Sequence, residues 1–275
     1  IYNDYINNDF KSIILDLKTM NKRIISMPVY SVNINKKIAL TLDFSRLHAL
    51  RPGYGYSNKK IGINLEPVDN SKPCIWHIDL SSGNITGILR FEDIFKIDFH
   101  ESMKDAYHKV NHIMINPSGT RFMFLHRWIK DGVKKTRLMT CNMDGTELFN
   151  LLDEDMISHC TWKDDKTILG WAHTYKSGNH YYYMYDRSEK IEIVAKDSLL
   201  FDGHPSFSPD GRYFITDTYP DFKRKQHLLL YDTYTKETKK IATLYSNYKY
   251  RNECRCDLHP RWNRKGNKIC VDASI

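Results

Sequence analysis

The stretch "GHPSFSPDGRYFITD", residues 203–217, decides the fold once it is set beside the rest of the chain. Within it, "SPDG" is a turn and "RYFITD" is a strand of bulky residues suited to a pleated surface. Three other segments align with it without gaps: "HIMINPSGTRFMFLH" from His112, "HCTWKDDKTILGWAH" from His159 and "HPRWNRKGNKICVDA" from His259. A glycine stands seven places after the histidine in three copies (Gly119, Gly211, Gly266), and Lys166 takes that place in the His159 copy. Three places after each histidine is an apolar or aromatic residue: Ile115, Trp162, Phe207 and Trp262. "YSVNINKKIALTLD", from Tyr30, keeps the strand-turn-strand pattern without a histidine.

Between successive copies lies a second hairpin, as in "YYYMYDRSEKIEIVA" and "HLLLYDTYTKETKKIATL". Each unit therefore holds four strands and recurs every 45 to 55 residues. That is the pattern of a β-propeller blade. The expected fold is all-β, a single propeller domain over residues 1–275 built of four-stranded blades. About five blades are visible in whole or part, with "FKSIILDLKTMNKRIIS" as the outer hairpin of an earlier one. The chain starts at Ile1 and stops within a strand-like "ICVDASI", so it reads as a fragment at both ends. With about five visible, seven blades are expected in the complete protein; a ring of only the visible blades would leave sheet edges open. Residues 93–109, "DIFKIDFHESMKDAYHK", carry helical periodicity and are expected to be an insertion.

With 41% hydrophobic residues in 275, the chain can bury a globular core, and no apolar run approaches the roughly 18 residues of a membrane span. The net charge of +8 comes from lysines scattered through turns, in "NKK", "VKK" and "TKK". Such a charge suits an anionic partner, such as nucleic acid, a membrane surface or an acidic polysaccharide, but with no basic helix or aromatic-basic motif compositional bias is the favoured reading and nucleic acid is not expected. Six cysteines form no disulfide framework, and Cys254 and Cys256 lack the second pair a zinc site needs. A reduced, cytoplasmic protein is the expectation.

The innermost strand of each propeller blade lines the central channel, so residues at one register form a ring about the axis. His112, His159, His204 and His259 share such a register. For His112, a structural bond to a neighbouring blade is the favoured reading. His126 and His173, at strand ends, read as structural. His204 and His259 each open an "HP" before a strand in adjacent blades, and imidazole is a common metal ligand. Asp257 lies two residues before His259, on the same side of an extended chain. His204, Asp257 and His259 are therefore the candidate metal ligands, a set suited to a divalent ion such as manganese.

"HPSFSPDG", "DLHPRW", "NHIMINPSGTRFMFLHRW" and "LDFSRLHALRPGYGY" together resemble the oligogalacturonate lyase family of seven-bladed propellers. They look closer still to relatives found among polysaccharide-biosynthesis genes, some labelled glycosyltransferases. The resemblance spans nearly the whole chain, although "PSFSPDG" is shared with other propellers, including the TolB type. It implies a manganese ion held by three histidines and a glutamine. His204 and His259 match two of these histidines. Asp257 stands where the family has the third, and Cys254 where it has the glutamine. The resemblance further implies His159 as general base and Arg137 as the residue gripping the substrate carboxylate. Arg46, Arg51 and Tyr54 would supply sugar contacts. The implied reaction is metal-assisted β-elimination on an acidic, uronate-containing oligosaccharide or polysaccharide. The departures at Asp257 and Cys254 favour a second reading, a non-catalytic propeller that binds glycan or protein. A true glycosyltransferase is disfavoured, because the chain has no Gly-rich strand-to-helix turn for a nucleotide.

Overall fold

The computed structural model describes residues 1–58 and 69–274. They divide into two compact units, Ile1–Asp153 and Glu154–Ile275. Every sheet is an antiparallel meander whose strands neighbour one another in chain order. Unit 1 holds a three-stranded sheet (Tyr2–Ile6, Asp9–Leu15, Lys22–Ile25) and two four-stranded ones. The first of these runs through Ser31–Asn33, Ile38–Leu42, Pro73–Asp79 and Ile85–Arg90. The second runs through Tyr107–Ile115, Arg121–Lys130, Val133–Asn142 and Phe149–Leu152. Unit 2 holds the sheets Ile157–Trp162, Thr167–Thr174, Gly178–Tyr185, Ile191–Val194 and Ser206–Phe207, Tyr213–Asp217, Lys225–Asp232, Thr238–Tyr245. A two-stranded sheet, Arg261–Trp262 with Ile269–Cys270, follows. These are propeller blades, six in whole or part where about five were expected. Among the described residues no helix is long and apolar enough to cross a membrane.

The repeat owes its glycine to the inner turn. Gly119, Gly211 and Gly266 take φ of 74°, 68° and 68°, a left-handed conformation that glycine adopts without a Cβ penalty. Each donates its backbone N–H to the carbonyl three residues back, of Asn116, Ser208 and Asn263 respectively. The His159 copy differs from the gapless alignment. Ile115, Phe207 and Trp262 pair with residues seven places on, whereas Trp162 pairs with Ile168, six places on. Its turn is one residue shorter and is closed by Asp164, whose carboxylate accepts from the N–H groups of Lys166 and Thr167. The shorter turn is why Lys166 can stand where the other copies have glycine.

The expected helical insertion over 93–109 is smaller than its periodicity suggests. A five-residue helix covers Phe91–Phe95 and a single 3-10 turn covers Glu101–Met103. Tyr107 onward joins a strand instead, pairing Tyr107 with Ile129 and Lys109 with Arg127. The nine-residue ladder offers more backbone hydrogen bonds than one more helical turn could. Each unit has its own apolar core. In unit 1 it includes Leu40, Ile75, Phe122, Phe124 and Met139; in unit 2, Leu169, Trp171, Tyr181, Phe214 and Tyr231.

Candidate metal and catalytic site

The repeat histidines fall where the inner strands are irregular. His112 sits in a register break between Asn111 and Met114, with φ of 52°, and His159 in a break between Ile157 and Cys160. His259 has φ of 39°. Such breaks re-aim a side chain out of the pleat. In unit 2 the three inner strands bring His159, His204 and His259 into one row. The ring centroids of His159 and His204 are 4.1 Å apart, and those of His204 and His259 4.0 Å.

Each ring is oriented through Nδ1. His159 Nδ1 donates to Asp202 Oδ1 at 3.1 Å, and His204 Nδ1 to the two oxygens of Asp217 at 2.9 and 3.0 Å. His259 Nδ1 donates to the Asp257 carbonyl at 3.1 Å. Carboxylates and carbonyls only accept, so each neutral ring carries its proton on Nδ1 and its lone pair on Nε2. Burial, and then the neighbouring His204, push the His259 imidazole below its ordinary pKa, which keeps it neutral and fit to ligate at neutral pH.

Asp217 ties the row together. Its side chain is 1% exposed and also accepts the backbone N–H of His204 at 2.7 Å and of His259 at 3.1 Å. Burial alone would raise its pKa; the hydrogen bonds from His204 and His259 outweigh that and hold the carboxyl below its ordinary range. The chain passes so close here that a Cβ on Gly203 would stand 1.9 Å from the Asp217 carbonyl oxygen. Only glycine fits before His204.

His204, Asp257 and His259 offer ligand atoms that all lie within 4.8 Å of one another. An ion with ligands at about 2.1 Å holds tetrahedral pairs about 3.4 Å apart, so the three side chains would have to draw together to ligate one ion. The donor set, two imidazoles and a carboxylate, fits a borderline or hard divalent ion. Asp257 is itself fixed: Arg255 donates to its two oxygens at 2.6 and 2.7 Å. The Arg255 guanidinium lies 4.6 Å over the Tyr219 ring, which is 5.8 Å from the His204 ring and 6.2 Å from that of His159. Cys254 is exposed, in the turn Asn252–Cys254, and is not among the grouped ligands.

Asp202, Asp217, Tyr219 and Arg255 were not singled out from sequence. A signal for two of them was present. "DGHP" and "DLHP" share a D-x-H-P pattern, and each is followed by an aspartate 13 residues after the histidine, Asp217 and Asp272. Asp272 lies 4.0 Å from His259 Nδ1 and is paired with Arg261 at 2.7 and 3.0 Å.

The remaining expected site residues lie in unit 1. Arg46 is in the helix Phe44–Leu50, capped by Asp43, and its Nε donates to the His108 carbonyl at 2.7 Å. Arg51 lies 5.0 Å over the ring of Tyr54, which is exposed. His112 donates its backbone N–H to the Tyr30 hydroxyl at 3.0 Å.

Arg137 corrects an expectation. It is fully buried, and its three nitrogens donate to the carbonyls of Ile94, Ile97 and Asp98 and to His126 Nδ1. A guanidinium enclosed in this way is a strut of the blade and is not offered to a substrate carboxylate. Its bond to His126 fixes a relay of tautomers. His126 Nδ1 must accept, so His126 Nε2–H donates to His108 Nδ1 at 3.0 Å, and His108 Nε2–H donates to the Met103 carbonyl at 2.8 Å.

Burial pushes the His108 imidazole down from 6.5 to about 4. The unfolded ring takes its proton near 6.5 and the folded ring near 4, so the unfolded state binds more protons between those values. This contribution to stability is intact above pH 6.5 and shrinks as pH falls toward 4, by about 3 kcal/mol. Urea midpoints should therefore drop steeply between pH 7.5 and 4.5, and less steeply in His108→Gln. Equal slopes in both proteins would contradict the neutral relay.

No family profile and no curated protein matches the sequence. Solved structures do match in fold. An oligogalacturonate lyase in complex with manganese superposes with a TM-score of 0.62 at 11% identity, covering 99% of this chain and 67% of that one. An oligogalacturonate lyase from Vibrio parahaemolyticus gives 0.63 at 12% identity, covering 96% and 69%. The tricorn protease gives 0.55 at 13% identity, covering 98% of this chain but 27% of that one. The chain shares the fold of the oligogalacturonate lyase propellers, a fold that also serves a protease.

Proposed function

We propose that this chain is a metal-assisted lyase that cleaves a uronate-containing oligosaccharide or polysaccharide by β-elimination. The supporting observation is the row of three imidazoles, each turned by an Nδ1 bond so that Nε2 carries the lone pair. Two of them stand beside a fixed carboxylate, on a fold shared with a lyase solved with manganese.

His204, Asp257 and His259 would hold the ion. When bound, a divalent ion supplies positive charge against the uronate carboxylate, which gains negative charge as the adjacent C5–H bond breaks. His159 serves as general base. Its Nδ1–H on Asp202 fixes the ring and stabilises the imidazolium that forms, as an aspartate does for histidine in hydrolytic triads. The C5 proton moves to His159 Nε2, the C5–H electron pair forms the C4=C5 bond, and the C4–O pair leaves with the departing sugar oxygen, which takes a proton from water.

The test is the absorbance of the unsaturated uronate released from galacturonate or glucuronate oligomers with manganese present. Product should form with the wild type, and His159→Ala should slow it by about 10²- to 10⁴-fold while still binding manganese. Binding of the oligomers without any product would sink the lyase reading and leave a glycan-binding propeller, the reading that the departures at Asp257 and Cys254 favour.

A further inference from the structure

Unit 1 holds a cavity of about 380 Å³ between the helix Phe44–Leu50 and the strands Pro73–Asp79 and Tyr107–Ile115. Leu42, Leu47, Trp76, Phe91 and Val110 give it an apolar wall, and Arg46 and Lys109 bring cationic side chains to it. Its size and its apolar lining with a few polar groups are those of a small-molecule site. We infer that this cavity binds a small organic anion, a carboxylate or phosphate on an apolar body, with Lys109 and Arg46 gripping the charged end. The inference does not depend on the lyase reading, whose histidine row lies in unit 2.

Both cations are short of partners. Lys109 is 3% exposed, and among the described residues its Nζ makes one hydrogen bond, to the Leu50 carbonyl at 3.2 Å. An ammonium has three hydrogens to place. Arg46 donates through Nε to the His108 carbonyl at 2.7 Å, while its Nη2 is buried with no partner among the described residues. The acids lining the cavity, Asp43 and Asp69, are engaged elsewhere. Asp43 accepts the backbone N–H groups of Ser45 and Arg46, and Asp69 holds Lys72 and Ser71. Asp69 and Lys72 are exposed, so the cavity opens to solvent beside them. A buried charge is costly unless it is paired, and a bound anion supplies the pair that the chain does not.

The electrostatics agree with the geometry. Burial, and then Arg127, Lys134 and Arg51, push the Lys109 amine down from 10.5 to about 7. Arg127 stands opposite Lys109 in the strand pair. Burial holds the His108 imidazole near 4 and pushes the Cys74 thiol up, so neither carries charge at neutral pH. A bound anion favours the ammonium form of Lys109. Binding below pH 7 therefore meets a charge already present, whereas binding above it takes up a proton. Affinity should fall by up to about tenfold for each pH unit above that point.

The experiment is calorimetric binding of benzoate, phenyl phosphate and benzyl alcohol to wild type, Lys109→Met and Arg46→Gln. At about pH 6.5 the wild type should bind at least one of the anions about 10-fold or more tightly than the alcohol, and the tighter anion identifies the headgroup. Each substitution should weaken that anion by about 10- to 100-fold, as expected for loss of a charge-assisted hydrogen bond, and leave the alcohol within about twofold. Between about pH 7 and 8.5, where each anion keeps its own charge, wild-type affinity should fall with uptake of a proton, and Lys109→Met should show neither effect. Binding of neither anion, or of the alcohol as tightly as the anions, would overturn the inference. So would equal weakening of anion and alcohol in both variants, which would make Lys109 and Arg46 supports of the cavity wall. A wild-type affinity flat across that pH range would remove Lys109 from the site and overturn it as well.

Discussion

Arg137→Met should destabilise unit 1 by about 3 kcal/mol or more and leave manganese binding unchanged. The substitution removes the donors to three backbone carbonyls and to His126 Nδ1, all inside the blade. A buried acceptor left without a donor costs roughly 1–3 kcal/mol. Methionine keeps much of the packing, and the desolvation of the guanidinium is recovered, so the net loss is smaller than the sum. The loss also reaches His108, because without the Arg137 bond the tautomer of His126 is no longer dictated. Urea denaturation followed by far-ultraviolet circular dichroism reads the effect. An unchanged midpoint together with lost turnover would instead return Arg137 to the catalytic role expected from the sequence.

Asp217→Asn should weaken manganese binding by about 10- to 100-fold, the usual cost of removing the partner that orients a ligating histidine. The aspartate accepts the His204 ring N–H and the backbone N–H groups of both His204 and His259. Asparagine keeps one acceptor oxygen and turns an NH₂ toward N–H groups, so the two histidines lose their common anchor. The effect should appear in metal titration even where folding is preserved, because the substitution is nearly isosteric. Wild-type affinity in Asp217→Asn would show that the row is oriented by other means.

These two residues mark how far the sequence could be read. The blades were legible because a hairpin repeated every 45 to 55 residues leaves a glycine, an apolar residue and a histidine at fixed offsets. The pairing of His204 with His259 followed from the same register, and Asp257 from the two-residue period of an extended chain. Arg137 was misplaced because alternation along a strand tells inside from outside only when the face is known. A buried arginine and a substrate-binding one look alike in "KKTRLMT". The role of Asp217 is not legible in the sequence, because it closes a strand 13 residues from its histidine and the contact exists only once the hairpin has folded. Arg255 lies between Cys254 and Cys256, whose CxC spacing is the more conspicuous feature of the sequence, although Cys254 is exposed and outside the ligand group. The one-residue deletion in the His159 turn was also invisible, since Asp164 preserves the turn by side-chain bonds where the other copies use glycine.

Manganese titration of metal-stripped protein, wild type beside the double variant His204→Ala, His259→Ala, tests the central claim most directly. The account predicts one ion per wild-type chain and none in the variant at the same concentrations. An absence of manganese binding by the wild type, or equal binding by the two proteins, would contradict it.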